Sequence, residues 1–124
     1  MMFSNFSVLH VEDEIIVAIE TASVLADLGF GTVRVAHTLR SAENLVRSER
    51  FDIALLDVNL GNGERTVELG LALRERGTHV VFASGYNKCE LSARLQDFDF
   101  IEKPLSRLEI EEVLKSILTQ RLSA

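Results

Sequence analysis

Short apolar runs alternate along this chain with longer segments in which apolar residues recur every three or four positions. The runs, Phe6 to Val11, Thr32 to Ala36, Asp52 to Leu56, Val80 to Ala83 and Phe98 to Glu102, read as strands. The first intervening segment carries Ile15, Ile19, Ala22 and Leu25, a spacing that predicts one buried helical face, and Gly29 stands where a helix C-cap glycine belongs. Ser41 to Arg50 is helix-like, with Ala42, Leu45 and Val46 inward. After a glycine-containing loop, Asn59-Leu60-Gly61-Asn62-Gly63, a helix runs from about Arg65 to Arg76 and is closed by Gly77. A short, weakly amphipathic helix spans Lys88 to Gln96. The last helix has the cleanest period: Ile110, Val113, Leu114, Ile117 and Leu118. The third run is apolar almost throughout, as expected of a strand covered on both faces. Such alternation predicts an α/β fold, a doubly wound parallel sheet with helices on both sides.

Where the runs stop is as informative as where they lie. The first ends at Glu12 and Asp13, the third at Asp57, the fourth at Ser84, and the fifth at Lys103-Pro104. In a parallel sheet these ends share one edge, the edge at which open α/β sheets bind ligands. Glu12 and Asp13 could simply favour the dipole of the helix that follows. That leaves Asp57, at the end of a buried strand, unexplained. Unit charges ~4 Å apart repel by about 4 kcal/mol at an effective dielectric near 20. The three acids therefore call for a cation, and a hard divalent ion such as Mg²⁺ takes carboxylates together with phosphate oxygens. Asp57 is the natural nucleophile for a phosphoryl group, Lys103 a phosphate-binding charge, and Ser84 a hydroxyl donor.

Composition narrows the rest. The chain has 124 residues, enough for one cored domain and too few for two. Its 13 basic and 19 acidic side chains leave a net charge of −6, which argues against nucleic acid as partner. The single Cys89 has no partner for an internal disulfide and fits a reducing compartment. No run is long enough to span a bilayer, and the first residues lack the basic region of a signal peptide, so no membrane is expected and a cytoplasmic location is. His10 reads as a satisfied core imidazole, and His37 and His79 as turn-flanking residues.

The ordered set Glu12-Asp13, Asp57, Ser84 and Lys103-Pro104 resembles the receiver domain of bacterial two-component response regulators, over the whole chain. The resemblance implies a five-stranded flavodoxin-like sheet of order 2-1-3-4-5. It implies Mg²⁺-dependent (or Mn²⁺-dependent) transfer from a phosphohistidine to Asp57. The donor would be a histidine kinase or a histidine phosphotransfer protein. Asp13 and Asp57 would bind the ion directly with the backbone carbonyl of Asn59, and Glu12 through a metal-bound water. Ser84 and Lys103 would close on the phosphoryl group, Phe100 would be the aromatic switch, and the Lys103–Pro104 peptide would be cis. Asn59 and Tyr86 would set the lifetime of the aspartyl phosphate. The helix over Lys88 to Gln96 would be the mobile output element.

Three features depart from the usual pattern. Phe100 stands where tyrosine is common. The usual proline-glycine after the acceptor is replaced by Leu60-Gly61-Asn62-Gly63, which reads as a looser loop. Phe82-Ala83-Ser84-Gly85-Tyr86 resembles the FATGUY subgroup with Ser for Thr. Members of that subgroup often stand alone or sit within hybrid kinases. The expectation is therefore one receiver over residues 1–124 with no output domain, catalysing only its own phosphorylation and dephosphorylation. It would act as a switch toward an unidentified downstream protein or as a phosphate shuttle in a phosphorelay. A receiver segment of a hybrid histidine kinase is the nearest alternative. A Mg²⁺-dependent phosphohydrolase using Asp57 is the alternative of another class. Dehalogenase-type phosphatases need a second Asp two residues on, however, and Asn59 cannot transfer that proton.

Overall fold

The computed structural model describes residues 3–85, Leu95 and 97–123. Five strands, β1 (Ser7–Val11), β2 (Thr32–Ala36), β3 (Ile53–Asp57), β4 (His79–Ser84) and β5 (Asp99–Glu102), lie parallel in the order β2-β1-β3-β4-β5. Among the described residues four helices connect and follow them: α1 (Ile15–Asp27), α2 (Leu39–Ser48), α3 (Val67–Glu75) and α4 (Arg107–Ser123). The sheet order is the expected one, and the element ends fall within a few residues of the expected positions.

Side-chain alternation along the strands builds two cores. Leu9, Val11, Ala54, Leu56, Val80 and Phe82 face the layer of α2 and α3, where Ala42, Val46, Leu69 and Leu73 cover them. Val8, Ile53, Leu55, Val81, Ala83 and Ile101 face α1 and α4, covered by Val24, Leu25, Ile110, Leu114 and Ile117. Every residue of β3 is buried, so the central strand is held from both sides. Each fully buried aliphatic side chain there contributes about 1.5–3 kcal/mol relative to exposure. On the α3 side the layers meet closely at Gly70, where a Cβ would lie 2.4 Å from the Phe82 ring. Phe82 in turn packs against Phe98 and Phe100, at centroid distances of 5.1 and 5.7 Å.

Helix α1 corrects the expected buried face. Ala18, Thr21, Val24 and Leu25 are buried, whereas Ile15 and Ile19 are 60% and 64% exposed, with Ile16 at 73%. The helix is apolar on more than one side, so periodicity alone picked a face rotated by roughly 90° from the true one, the two sharing only Leu25. Close packing on the sheet selects the small Ala18 and Thr21 instead of the isoleucines.

The loop after β3 is a second correction. Asn59 and Arg65 form an antiparallel bridge, the Leu60 N–H donates to the Glu64 carbonyl at 2.8 Å, and Leu60 is buried. A 3-10 turn, Gly61–Gly63, closes this small hairpin. The segment is pinned rather than loose, because a buried leucine and a cross-loop hydrogen bond replace the stiffness of proline. The expected helix over Lys88 to Gln96, and Tyr86, lie outside the described residues, apart from buried Leu95.

Candidate functional site

Parallel strand pairing carries the sequence-marked residues to one edge. Asp57 is the last residue of β3 and is paired in register with Ala83, next to Ser84 at the end of β4. Ser84 is paired with Glu102, and its carbonyl accepts the Lys103 N–H at 2.8 Å, which places Lys103 immediately beyond β5. Glu12 leaves β1 with its N–H donating to the Ala36 carbonyl at 3.0 Å. The Lys103–Pro104 peptide is cis.

Within this edge the charges are arranged around one ammonium. Lys103 Nζ donates to Glu12 Oε1 at 3.0 Å and to Asp57 Oδ2 at 3.1 Å. Glu12 is fully buried, and its other oxygen accepts the Glu14 N–H at 3.1 Å. Asp13 is half-buried, and its Oδ2 accepts the Gly61 N–H at 3.0 Å. The Thr66 hydroxyl donates to the Asp57 carbonyl at 2.8 Å, fixing the main chain that carries the acceptor. An open cleft of about 440 Å³, lined among others by Asp13, Asp57, Asn59, Gly61 and Lys103, admits a small anion.

Electrostatics follow from this crowding. Burial pushes the Asp57 carboxyl up from 3.8 to about 6; the Lys103 hydrogen bond works against that rise, and the Glu12 charge adds to it. For Lys103, burial favours the neutral amine, but the hydrogen bonds it donates to Glu12 and Asp57 and their charges outweigh it and hold its pKa above the ordinary value. One oxygen from each of Glu12, Asp13 and Asp57 lies within 4.8 Å of the others. Three carboxylates against one ammonium form a donor set that suits a hard divalent cation with oxygen ligands.

Ser84 is buried at the strand end, and Phe100 is half-buried beside Phe82. Asn59 is exposed at the mouth of the cleft. Four contacts had no readable signal in the sequence. The Gly61 and Glu14 donors are main-chain atoms, and Thr66 lies nine residues from its acceptor. His37 is the fourth: in the bend after β2, its Nδ1 donates to the Glu12 carbonyl at 3.1 Å. His79, just past the turn at Arg76 and Gly77, starts β4 and pairs with Asp99 at 2.6 Å. His10 is a core imidazole, as expected, but only half satisfied. Its Nδ1 donates to the Leu55 carbonyl at 3.0 Å, while Nε2 has no partner among the described residues. Burial holds its pKa below the ordinary value, so the ring is neutral.

A family model of the response regulator receiver domain matches residues 8–115. The sensory transduction protein LytR of Staphylococcus haemolyticus is 26% identical over 116 residues, covering 90% of this chain and 45% of that protein. The chain therefore spans less than half the length of the curated relative it matches. Among solved structures, SdrG from Sphingomonas melonis Fr1 is 30% identical with a TM-score of 0.77, over 91% of this chain and 96% of that one. A CheY-like receiver domain from Methylobacillus flagellatus is 28% identical with a TM-score of 0.77, over 90% and 98%. A further CheY-like receiver, from Methanospirillum hungatei JF-1, is 25% identical with a TM-score of 0.82, over 95% and 97%.

Proposed function

The chain belongs to the response regulator receiver domains, and on that premise we propose that it accepts a phosphoryl group on Asp57 from a phosphohistidine and acts as a switch in two-component signalling. The observation that carries this reading is the Lys103 ammonium bridging Asp57 and Glu12 at the sheet's carboxyl edge, with Asp13 beside them. In the transfer, an Asp57 carboxylate oxygen attacks phosphorus. The P–N bond to the donor imidazole breaks, its electron pair stays on nitrogen, and a proton from solvent restores the neutral ring. Lys103 lies within hydrogen-bond reach of Asp57 and would follow the charge onto the phosphoryl oxygens.

Asp13, Asp57 and the Asn59 carbonyl would hold Mg²⁺ or Mn²⁺, which would offset charge on the transferring oxygens. Both Glu12 oxygens are already engaged, which supports its acting through a water rather than directly. Ser84 would donate to the product, drawing Phe100 inward and biasing the surface beside β5 and α4 toward a downstream protein. Beyond its own phosphorylation and hydrolysis no further catalysis is assigned to the chain, in keeping with Asn59 at the position where an acid would be needed. No described helix is long and apolar enough to cross a membrane, and a cytoplasmic setting suits a kinase partner.

The kinase or phosphotransfer protein must bring its histidine to the cleft. Ile15, Ile16 and Ile19 offer an apolar surface for it at the start of α1, directly after Asp13 and Glu14. Incubation with phosphoramidate, a P–N donor, and Mg²⁺ tests the acceptor. Intact-mass spectrometry should show one added phosphoryl group in the wild type and none in Asp57→Asn. A phosphorylated Asp57→Asn protein would refute the assignment.

A further inference from the structure

Gly61 stands at a position where the family commonly has proline, and its main-chain N–H, which proline lacks, donates to Asp13 Oδ2 at 3.0 Å. The same short segment is closed by the Asn59–Arg65 bridge and by the Leu60 N–H to Glu64 carbonyl bond, with Leu60 buried beneath it. The Gly61 bond therefore joins two pieces of chain 48 residues apart: the end of β1, which supplies Asp13, and the turn that carries Asn59. Resting on the cation-dependent reading above, we propose that the Gly61 N–H is a positioning donor of the cation pocket. It holds one Asp13 oxygen, leaves the other for the ion, and keeps the Asn59 carbonyl in place. Charge-assisted hydrogen bonds of this kind are the stronger ones in proteins, and fixing a ligand beforehand lowers the cost of ordering it on binding.

Substitution and amide exchange test the idea from two sides. A Cβ at Gly61 would lie 3.1 Å from Asp13 Oδ2, a slight pressure on the carboxylate. Gly61→Ala adds that carbon and keeps the N–H, so it reports the crowding alone; Gly61→Pro also removes the N–H and points its Cδ at Asp13 Oδ2, so it removes the donor and closes its space together. Leu60 has φ −94° and ψ 161°, the extended backbone required before proline, and Gly61 does not share the positive φ of 76° seen at Gly63. The backbone before position 61 therefore accepts proline, and neither variant meets a positive φ.

Mg²⁺ binding by isothermal titration calorimetry, on the unphosphorylated full chain, should give Gly61→Ala an affinity within about twofold of wild type. Gly61→Pro should bind on the order of tenfold more weakly than Gly61→Ala. Equal affinities for the two variants would overturn the proposal. Amide exchange probes the same hydrogen bond in the wild type, with no substitution. The Gly61 amide should be protected without Mg²⁺ and stay protected with it, and exchange at the free-peptide rate in the ion-free protein would also overturn the proposal. A wild type that binds no Mg²⁺ would instead defeat the cation-dependent reading, even with the Gly61 amide protected.

Discussion

The two edges of the sheet handle charge in opposite ways. At the amino edge, Asp52 accepts the Ser7 N–H at 2.8 Å, and Arg121 donates to the Asp52 carbonyl at 2.7 Å. The Thr78 hydroxyl donates to the Phe51 carbonyl at 2.8 Å, His79 pairs with Asp99, and Arg74 lies over the Phe98 ring at 4.2 Å. A larger cavity, about 680 Å³, opens there, yet each of these cations already has a partner, and among the described residues no carboxylates are left crowded. At the carboxyl edge three carboxylates share one ammonium, and Asp57 is pushed up to about 6. The difference teaches that cavity size does not mark the working end of this molecule. Unbalanced charge held by rigid strands does.

Breaking each edge should give different results. Lys103→Ala removes the ammonium that contacts both Glu12 and Asp57, and should cost about 2 kcal/mol at pH 8 in urea unfolding, less at pH 5 where Asp57 is protonated. Arg121→Ala should cost about 1 kcal/mol at both pH values, because its main contact is a hydrogen bond to a carbonyl. A Lys103→Ala cost independent of pH would undo the contrast.

The raised Asp57 pKa gives a second effect, and its sign is fixed. The folded carboxyl titrates near 6 and the unfolded one near 3.8, so the native state favours the protonated form. Its contribution to stability is full below 3.8 and is lost as pH rises through 6. Without added cation, the melting temperature of the wild type should fall relative to Asp57→Asn between about pH 4 and 7. Mg²⁺ should restore the wild type at about pH 7 and have little effect near pH 4. Parallel curves for the two proteins would show that Asp57 carries no such load.

The smallest effect on stability belongs to the surface of α1. Ile16→Lys should change unfolding free energy by less than about 0.5 kcal/mol, since the side chain is 73% exposed. Phosphoramidate should still label it at the wild-type rate, whereas transfer from a phosphorylated kinase should slow. Unchanged kinase transfer would move the docking surface elsewhere.

Much of this was legible in the residues. The ends of the apolar runs named Glu12, Asp13, Asp57, Ser84 and Lys103, because a strand covered on both faces is a continuous apolar run and its end is unambiguous. The buried face of α1 was not legible, since apolar residues surround much of that helix and packing chose Ala18 and Thr21 over the isoleucines. Nor was the closure of the turn after Asp57. Main-chain donors such as those of Gly61 and Glu14 leave no mark in a sequence, and the Leu60 to Glu64 bond depends on backbone geometry alone.

The most direct test of the phosphoacceptor edge is an amide NMR comparison with Mg²⁺ alone and with Mg²⁺ plus beryllofluoride, for the wild type and Asp57→Asn. Shifts should spread from Asp57 through Ser84 to Phe100 and Lys103, leave Thr78 and Arg121 at the amino edge unmoved, and vanish in Asp57→Asn. A spectrum that answers Mg²⁺ but ignores beryllofluoride, or one that responds equally in the mutant, would contradict Asp57 as the acceptor.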